Sequence, residues 1–103
     1  MIEGLSHITF VVEDLDGMTD ILTTLLGFEE VYSSGEETFS KSPEKFFIKG
    51  DLWIAIMQGA PLTDRSYNHV AFKVSEDKLE EAATKINALG LEMLPPRPRV
   101  EGE

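Results

Sequence analysis

An internal repeat constrains the fold of this 103-residue chain more than any other feature of its sequence. The stretches "HITFVV" and "HVAFKV" align at one offset of 62 positions (69 − 7), and each begins with one of the two histidines, His7 and His69. In both stretches an apolar residue stands at every second position, which is the pattern of a half-buried β-strand. The repeat therefore predicts two copies of one unit, with the histidines at equivalent positions.

Each predicted strand leads into a predicted helix that ends at a glycine. After the strand at residues 5–12, acids at 13–14 begin a helix that ends at Gly27. After the strand at residues 67–74, Ser75 and early acids begin a helix that ends at Gly90. The apolar residues at helical spacing are Leu15, Met18, Leu22, Leu25 and Leu26 in the first helix and Leu79, Ala82, Ala83, Ile86 and Leu89 in the second.

The first copy continues as three short predicted strands, "FEEVYSS", "KFFIKG" and "LWIAIMQ", so its order is βαβββ. The second copy offers one further strand, "LEML", before the tail "PPRPRVEGE", whose three prolines exclude regular structure. We therefore expect an α+β fold of paired βαβββ modules in a single domain, residues 1–103. Module one would span about 1–60, and an incomplete module two would span about 61–103.

Composition limits the partners of the chain. Nineteen acidic residues against nine Lys and Arg give a net charge of −10, which repels nucleic acid and anionic lipid, so we expect neither as a partner. No apolar run approaches the roughly 20 residues of a membrane span, and the N-terminus lacks signal-peptide features, so we expect a cytoplasmic protein. Since there is no cysteine, any metal must be held by histidine and carboxylate.

The paired histidines favour a metal site. A single histidine on an apolar strand is usually structural, but two equivalent ones are two thirds of a 2-His-1-carboxylate set, whose open positions accept substrate oxygens. The third ligand should be a carboxylate on the last strand of a module, yet "WIAIMQ" in module one contains no acid. The corresponding strand of module two would lie beyond Glu103, and we expect the third ligand there.

The repeat, together with "GLSHITF", "YSSGEETFSKSPEKFF", "LWIAIMQG", "RSYNHVAFK" and "PPRPRVEGE", resembles the vicinal oxygen chelate superfamily. That superfamily includes glyoxalase I, bleomycin-binding proteins, extradiol dioxygenases and fosfomycin resistance enzymes. The resemblance is strongest to the FosX type of fosfomycin resistance protein and covers the whole chain. For the complete form it implies a Mn(II)-dependent epoxide hydrolase that adds water to fosfomycin, a small anionic epoxide with a phosphonate group, and it leaves the activity of these 103 residues open. It also implies a homodimer whose sites are shared between subunits.

The resemblance also implies roles for individual residues. His7 and His69 would bind the metal ion, with a glutamate beyond residue 103 as the third ligand. Glu44 would be the general base that activates water. The implied substrate-binding residues are Thr9, Tyr67, Arg97 and Arg99.

Less specific interpretations stay open for several of these residues. Without the resemblance, Glu44 is an ordinary solvated acid in a polar loop and Thr9 a packing residue. Arg97 and Arg99 could form an exposed basic tail. Three aromatic residues, Phe46, Phe47 and Trp53, are expected in the core. Two other functions also remain: a thiol transferase of the same family, and a non-catalytic ligand-binding or truncated module that lacks the third metal ligand.

Overall fold

Residues 1–35 and 42–94 are described by a computed structural model, and they show the predicted βαβββ order in the first copy. The elements are β1 (Ile8–Val12), α1 (Leu15–Asp20) with a π-helical continuation (Ile21–Leu25), β2 (Glu29–Ser33), β3 (Glu44–Lys49), β4 (Leu52–Gln58), and α2 (Leu79–Ala88), which follows a 3-10 turn (Glu76–Lys78). The α+β class predicted from the sequence is confirmed.

The strands form a four-stranded sheet in the order β1-β4-β3-β2. β1 runs parallel to β4, while β3 is antiparallel to both of its neighbours. β1 and β2 are therefore the two edges of the sheet, and α1 connects one edge to the other. A helix that connects two edges of a sheet packs against one of its faces, and the second face stays uncovered by that helix.

The core lies between α1 and one face of the sheet. Because side chains alternate along a strand, every second residue of β1, β3 and β4 contributes to this face. The most deeply buried side chains are Leu22, Phe28, Phe47, Ile54 and Ile56, and the partly buried residues around them are Phe10, Val12, Leu15, Met18 and Leu26. The predicted apolar stripe of α1 is thus confirmed, except that Leu25 lies outside the core cluster.

Local hydrogen bonds explain why α1 begins, and its π-helical continuation ends, close to the positions that the sequence predicts. The carboxylate Oδ1 of Asp14 accepts a hydrogen bond of 2.9 Å from the backbone N–H of Gly17, which caps the helix start. Gly27 has a φ of 74°, a left-handed conformation that glycine adopts without steric cost. Through this turn the N–H of Phe28 donates to the carbonyl of Leu22 over 2.9 Å, so that Phe28 enters the core.

The sequence-based prediction of strands at residues 67–74 and 91–94 is wrong for this chain. Both segments are irregular, and all of their residues are exposed. An extended segment is stable only when its backbone N–H and C=O groups are paired with a neighbouring strand. The sheet consists of β1 to β4, and within the described part of the chain neither segment is paired with a strand.

Among the described residues, those from Phe72 to Leu94 belong to a second compact unit, distinct from the first unit, Met1–Ala71. Its helix α2 is confirmed, although none of its residues is fully buried. Glu81 lies 3.4 Å from the Lys78 ammonium and 3.5 Å from that of Lys85, and hydrogen bonding to Lys78 is the main reason its pKa is lowered. Across the described residues, no helix has the length and apolar character needed to cross a membrane.

Replacing Phe47 should show whether the face under α1 is the core that stabilises the fold. Phe47 is fully buried, so Phe47→Ala should lower the free energy of unfolding by about 3–5 kcal/mol through lost burial and a residual cavity. Urea denaturation followed by circular dichroism measures this change. As a control, Leu62→Ala, at a residue 82% exposed, should change it by less than about 0.5 kcal/mol. Equal losses for both variants would contradict the assigned core.

Candidate functional site

The uncovered face of the sheet carries several of the residues singled out from the sequence. The strand register places Thr9 beside Ala55, and Ala55 beside Phe46. Two residues further along β1, Val11 lies beside Met57 of β4, and Met57 lies beside Glu44 of β3. We call this surface the open face. It consists of His7, Thr9, Val11, Tyr32, Glu44, Phe46, Ile48, Trp53, Ala55 and Met57.

Four ring side chains form a continuous row across the open face. Tyr32 stacks on Phe46 with ring centroids 4.7 Å apart, and Phe46 meets Trp53 edge to face at 5.5 Å. Trp53 in turn stacks on His7, with centroids 4.4 Å apart and ring planes 29° from parallel. We call these four residues the aromatic row. It gives the open face an apolar floor that ends at an imidazole.

A β-bulge decides that Tyr32 belongs to this row. The register between β2 and β3 shifts between Glu30 and Tyr32, so that Val31 is an extra residue. With uninterrupted alternation, Tyr32 would lie opposite Lys45 and face α1. The bulge turns Tyr32 toward Phe46 and the open face instead. Sequence reasoning missed this contribution because alternation along "EEVYS" contains no signal of an inserted residue.

His7 stands immediately before β1 and is exposed. Its Nδ1 lies 3.0 Å from the hydroxyl of Ser6, and its ring stacks on Trp53. Because a hydroxyl can either donate or accept, this contact does not fix the tautomer of His7, and Nε2 is the ring nitrogen that lies outside it.

For His69 the hydrogen-bond partner shows more directly that Nε2 is the nitrogen available to a metal ion. Its Nδ1 lies 2.7 Å from the backbone carbonyl of Tyr67. A carbonyl only accepts, so Nδ1 carries the proton of the neutral ring and Nε2 keeps a lone pair. Metal-binding histidines commonly donate their second ring N–H to such a carbonyl, which fixes the tautomer and orients the ring. The tautomer of His69 thus fits a divalent cation.

Backbone hydrogen bonds hold Glu44 at the start of β3. Its N–H donates to the hydroxyl of Ser34 over 2.9 Å, and its carbonyl accepts from the N–H of Ser34 over 3.0 Å. Next to it, the carbonyl of Pro43 accepts from Gln58 over 2.9 Å. The residue is half-buried on the open face rather than solvated in a loop. It lies two strands and four positions away from His7, which is about 16 Å between Cα atoms for regular sheet spacing.

Other predicted site residues are not brought together by the described part of the chain. Tyr67 is fully exposed and contributes its backbone carbonyl to His69 rather than its hydroxyl to a pocket. Arg97 and Arg99 lie outside the described residues. Within residues 1–35 and 42–94 no group of three or more histidine or acidic residues could hold a metal ion. The convergence of His7 and His69 on one cation stays a prediction.

The aromatic residues divide between the two faces. Phe47 lies in the core as expected, whereas Phe46 and Trp53 line the open face. The Nε1 of Trp53 is buried and has no hydrogen-bond partner within the described segments. Only the register of β3 against β4 distinguishes the faces, since every residue from Trp53 to Met57 is apolar.

Comparison with known proteins identifies the family. The model of the Glyoxalase/Bleomycin resistance protein/Dioxygenase superfamily matches residues 4–103. The chain belongs to this superfamily. The resemblance inferred from the repeat and its two histidines is therefore confirmed.

Within the superfamily, the chain is similar to curated proteins named fosfomycin resistance protein FosX. It is 57% identical to the one from Mesorhizobium japonicum over 103 residues, covering all of this chain and 74% of that protein. It is 50% identical to the one from Listeria monocytogenes, covering all of this chain and 77% of that protein. The chain thus spans about three quarters of their length.

A solved FosX structure from Listeria monocytogenes has the same fold. This mutant form, complexed with Mn(II) and 1S,2S-dihydroxypropylphosphonic acid, superposes with a TM-score of 0.86 at 52% identity. The match covers all of this chain and 79% of that one. The four-stranded sheet and its helices therefore follow the architecture of a superfamily member that binds a metal ion and a phosphonate.

The hydrogen bond from His69 predicts an unusual tautomer. The neutral His69 ring should carry its proton on Nδ1, because the Tyr67 carbonyl accepts from that atom. Long-range ¹H–¹⁵N NMR at a pH where the ring is neutral distinguishes protonated from unprotonated ring nitrogens. The same protein in concentrated urea, where this contact is lost, serves as the control. An Nε2-protonated His69 in the folded protein would contradict the geometry.

Proposed function

We propose that this protein inactivates fosfomycin by adding water to its epoxide in a Mn(II)-dependent reaction. The observation that carries the proposal is the open face, on which the metal-ligand candidate His7 and the base candidate Glu44 flank an apolar floor. The identity of 50–57% to FosX proteins supports the same assignment. The complex of a FosX structure with Mn(II) and a dihydroxypropylphosphonic acid supports the metal and the phosphonate.

His7 and His69 would hold the metal ion through Nε2, with a glutamate as the third ligand. Imidazole nitrogen together with carboxylate and phosphonate oxygen suits Mn(II), and no thiolate in this chain competes for a softer metal. When bound, such an ion supplies Lewis-acid chemistry: it neutralises phosphonate charge and polarises the epoxide C–O bond. The chain itself has a net charge of −10, so an anionic substrate needs this local positive charge.

Glu44 would act on the attacking water. Its carboxylate takes a proton while the water oxygen forms a bond to one epoxide carbon and the C–O bond at that carbon breaks. The released alkoxide then gains a proton, which leaves a 1,2-diol. The separation of about 16 Å between the Cα atoms of Glu44 and His7 excludes direct contact between their side chains and leaves room for a small substrate and a water molecule.

The remaining candidates would bind the substrate. Thr9 lies on the open face two positions after His7, so its hydroxyl is available next to the metal ligand. We propose the hydroxyl of Tyr67 and the guanidinium groups of Arg97 and Arg99 as further contacts to the phosphonate. A guanidinium group matches phosphonate oxygens through two parallel hydrogen bonds.

The compound bound in a FosX structure supports hydrolysis, rather than thiol transfer, as the reaction of this protein. The compound bound to the FosX structure carries two hydroxyl groups on a propylphosphonate, which is what water addition to a 1,2-epoxypropylphosphonate produces. Addition of a thiol would leave a thioether in place of one hydroxyl.

Removal of the proposed base should abolish most of the activity. With Mn(II) and fosfomycin but no thiol, a form of the protein that includes the third carboxylate ligand should form the diol, detected by ³¹P NMR. Glu44→Gln keeps the size of the side chain but cannot accept the proton, so kcat should fall by a factor of about 10² to 10⁴. Glu80→Gln, at an exposed acid in α2, is the matched control and should leave kcat unchanged.

Three outcomes would contradict the proposal in different ways. Product formed only with added thiol would assign the protein to thiol transfer. Full activity of Glu44→Gln would exclude Glu44 as the base. Tight binding of fosfomycin without turnover would favour a non-catalytic binding module.

We further propose that the protein is a homodimer. β1 is an edge strand, so one side of its backbone has no partner within the sheet. The segment 67–74 has the alternation of a strand but is exposed, with Val70 39% and Val74 42% accessible. A second copy can cover both features, and sites shared between subunits would bring together residues that one chain does not.

The mass in solution tests this assembly. Light scattering coupled to size exclusion should give about 23 kDa, twice the 11.5 kDa of one chain. Val70→Lys should shift the protein toward the monomer by placing a charge in the covered segment. Thr63→Lys, which adds the same charge at an exposed residue outside that segment, should not. A monodisperse monomer at micromolar concentration would contradict the dimer.

A further inference from the structure

We propose that Trp53 is a positioning residue for His7: stacking on the indole ring fixes the orientation of the imidazole. This inference rests on the proposed function, because only there is His7 a metal ligand. It assigns a role to a residue that the sequence places among core aromatics.

His7 receives little support from its own segment. Strand pairing of β1 begins at Ile8, one residue later, and His7 is exposed. Ser6, which lies 3.0 Å from Nδ1, is its immediate neighbour in the chain and is also exposed. This hydrogen bond moves with the segment and does not anchor it. The stack on Trp53, with ring centroids 4.4 Å apart, links the imidazole to the sheet.

Trp53 is itself well placed to serve as an anchor. It belongs to β4, which lies between β1 and β3, and its backbone is paired with Ile48 of β3, while pairing of β4 with β1 begins at the next residue, Ile54. The Phe46 ring meets the indole edge to face, at 5.5 Å and 70°, and Phe46 is stacked on Tyr32. The plane of the indole is therefore set by the aromatic row, and the imidazole follows it with a tilt of 29°.

The stack, rather than a hydrogen bond from the indole, should carry this effect. The Nε1 of Trp53 is buried without a partner among the described residues. A phenylalanine at this position would keep an aromatic face under His7 and lose only the N–H group. A leucine would keep an apolar side chain but lose the aromatic face.

Two variants and a control therefore separate positioning from general packing. Groups that orient a metal ligand typically change metal affinity 10- to 100-fold when they are removed. We expect Trp53→Leu to weaken Mn(II) binding about 10-fold, and Trp53→Phe to weaken it less than about threefold. Phe47→Leu removes an aromatic ring from the opposite, core face and should leave the affinity unchanged. Electron paramagnetic resonance of free Mn(II) measures all three.

The metal-free protein supplies a second readout. The chain has two histidines, so the imidazole C–H groups of His7 and His69 are readily resolved by ¹³C NMR relaxation. The order parameter of the His7 ring should fall in Trp53→Leu and be retained in Trp53→Phe, while that of His69 stays constant.

The outcomes distinguish this inference from the proposed function. Unchanged Mn(II) affinity in Trp53→Leu, or weaker affinity with an unchanged His7 order parameter, would overturn the positioning role. Absence of Mn(II) binding by the unmodified protein, or undiminished binding by His7→Ala, would overturn the metal site itself. The order parameters would still show whether Trp53 holds the His7 ring.

Discussion

The parallel pairing of β1 with β4 is the interaction on which the arrangement of this protein depends. It places Ile8, Phe10 and Val12 against the core and turns Thr9 toward the open face. It also brings His7 alongside Trp53. A slip of one residue would exchange the two faces of β1, exposing its core residues and burying Thr9 under α1. The burial of the apolar face under α1 therefore also specifies the side on which the candidate ligand lies.

The two faces of the sheet have different physical roles. One face is covered by α1 and buries Phe47, Ile54 and Ile56. Their burial stabilises the fold, and this face contains none of the candidate site residues. The other combines an aromatic floor with an imidazole at one edge and a carboxylate at the start of β3. Since the scaffold is stabilised from the covered face, residues of the open face can serve binding and catalysis.

Charge explains why such a face needs a cation. An anionic phosphonate approaching a chain of net charge −10 meets an unfavourable long-range field, which a divalent ion reverses over a few ångströms. The tautomer set by the Tyr67 carbonyl leaves the Nε2 lone pair of His69 available to such an ion. The His7 ring has a different kind of support, which is the stack on Trp53.

The sequence by itself determined the features that depend on local periodicity and local hydrogen bonds. The start of α1 and the end of its π-helical continuation follow from the carboxylate of Asp14 and the left-handed Gly27, whereas the equivalence of His7 and His69 stays a prediction from the repeat. Only the tertiary structure decided which faces and partners these elements acquire. The uniformly apolar β4 could not show that Trp53 faces away from the core, and the bulge at Val31 could not be read from alternation. The segment 67–74 has the pattern of a strand but remains irregular, because a strand is stabilised by hydrogen bonds to a neighbour that a local pattern cannot supply.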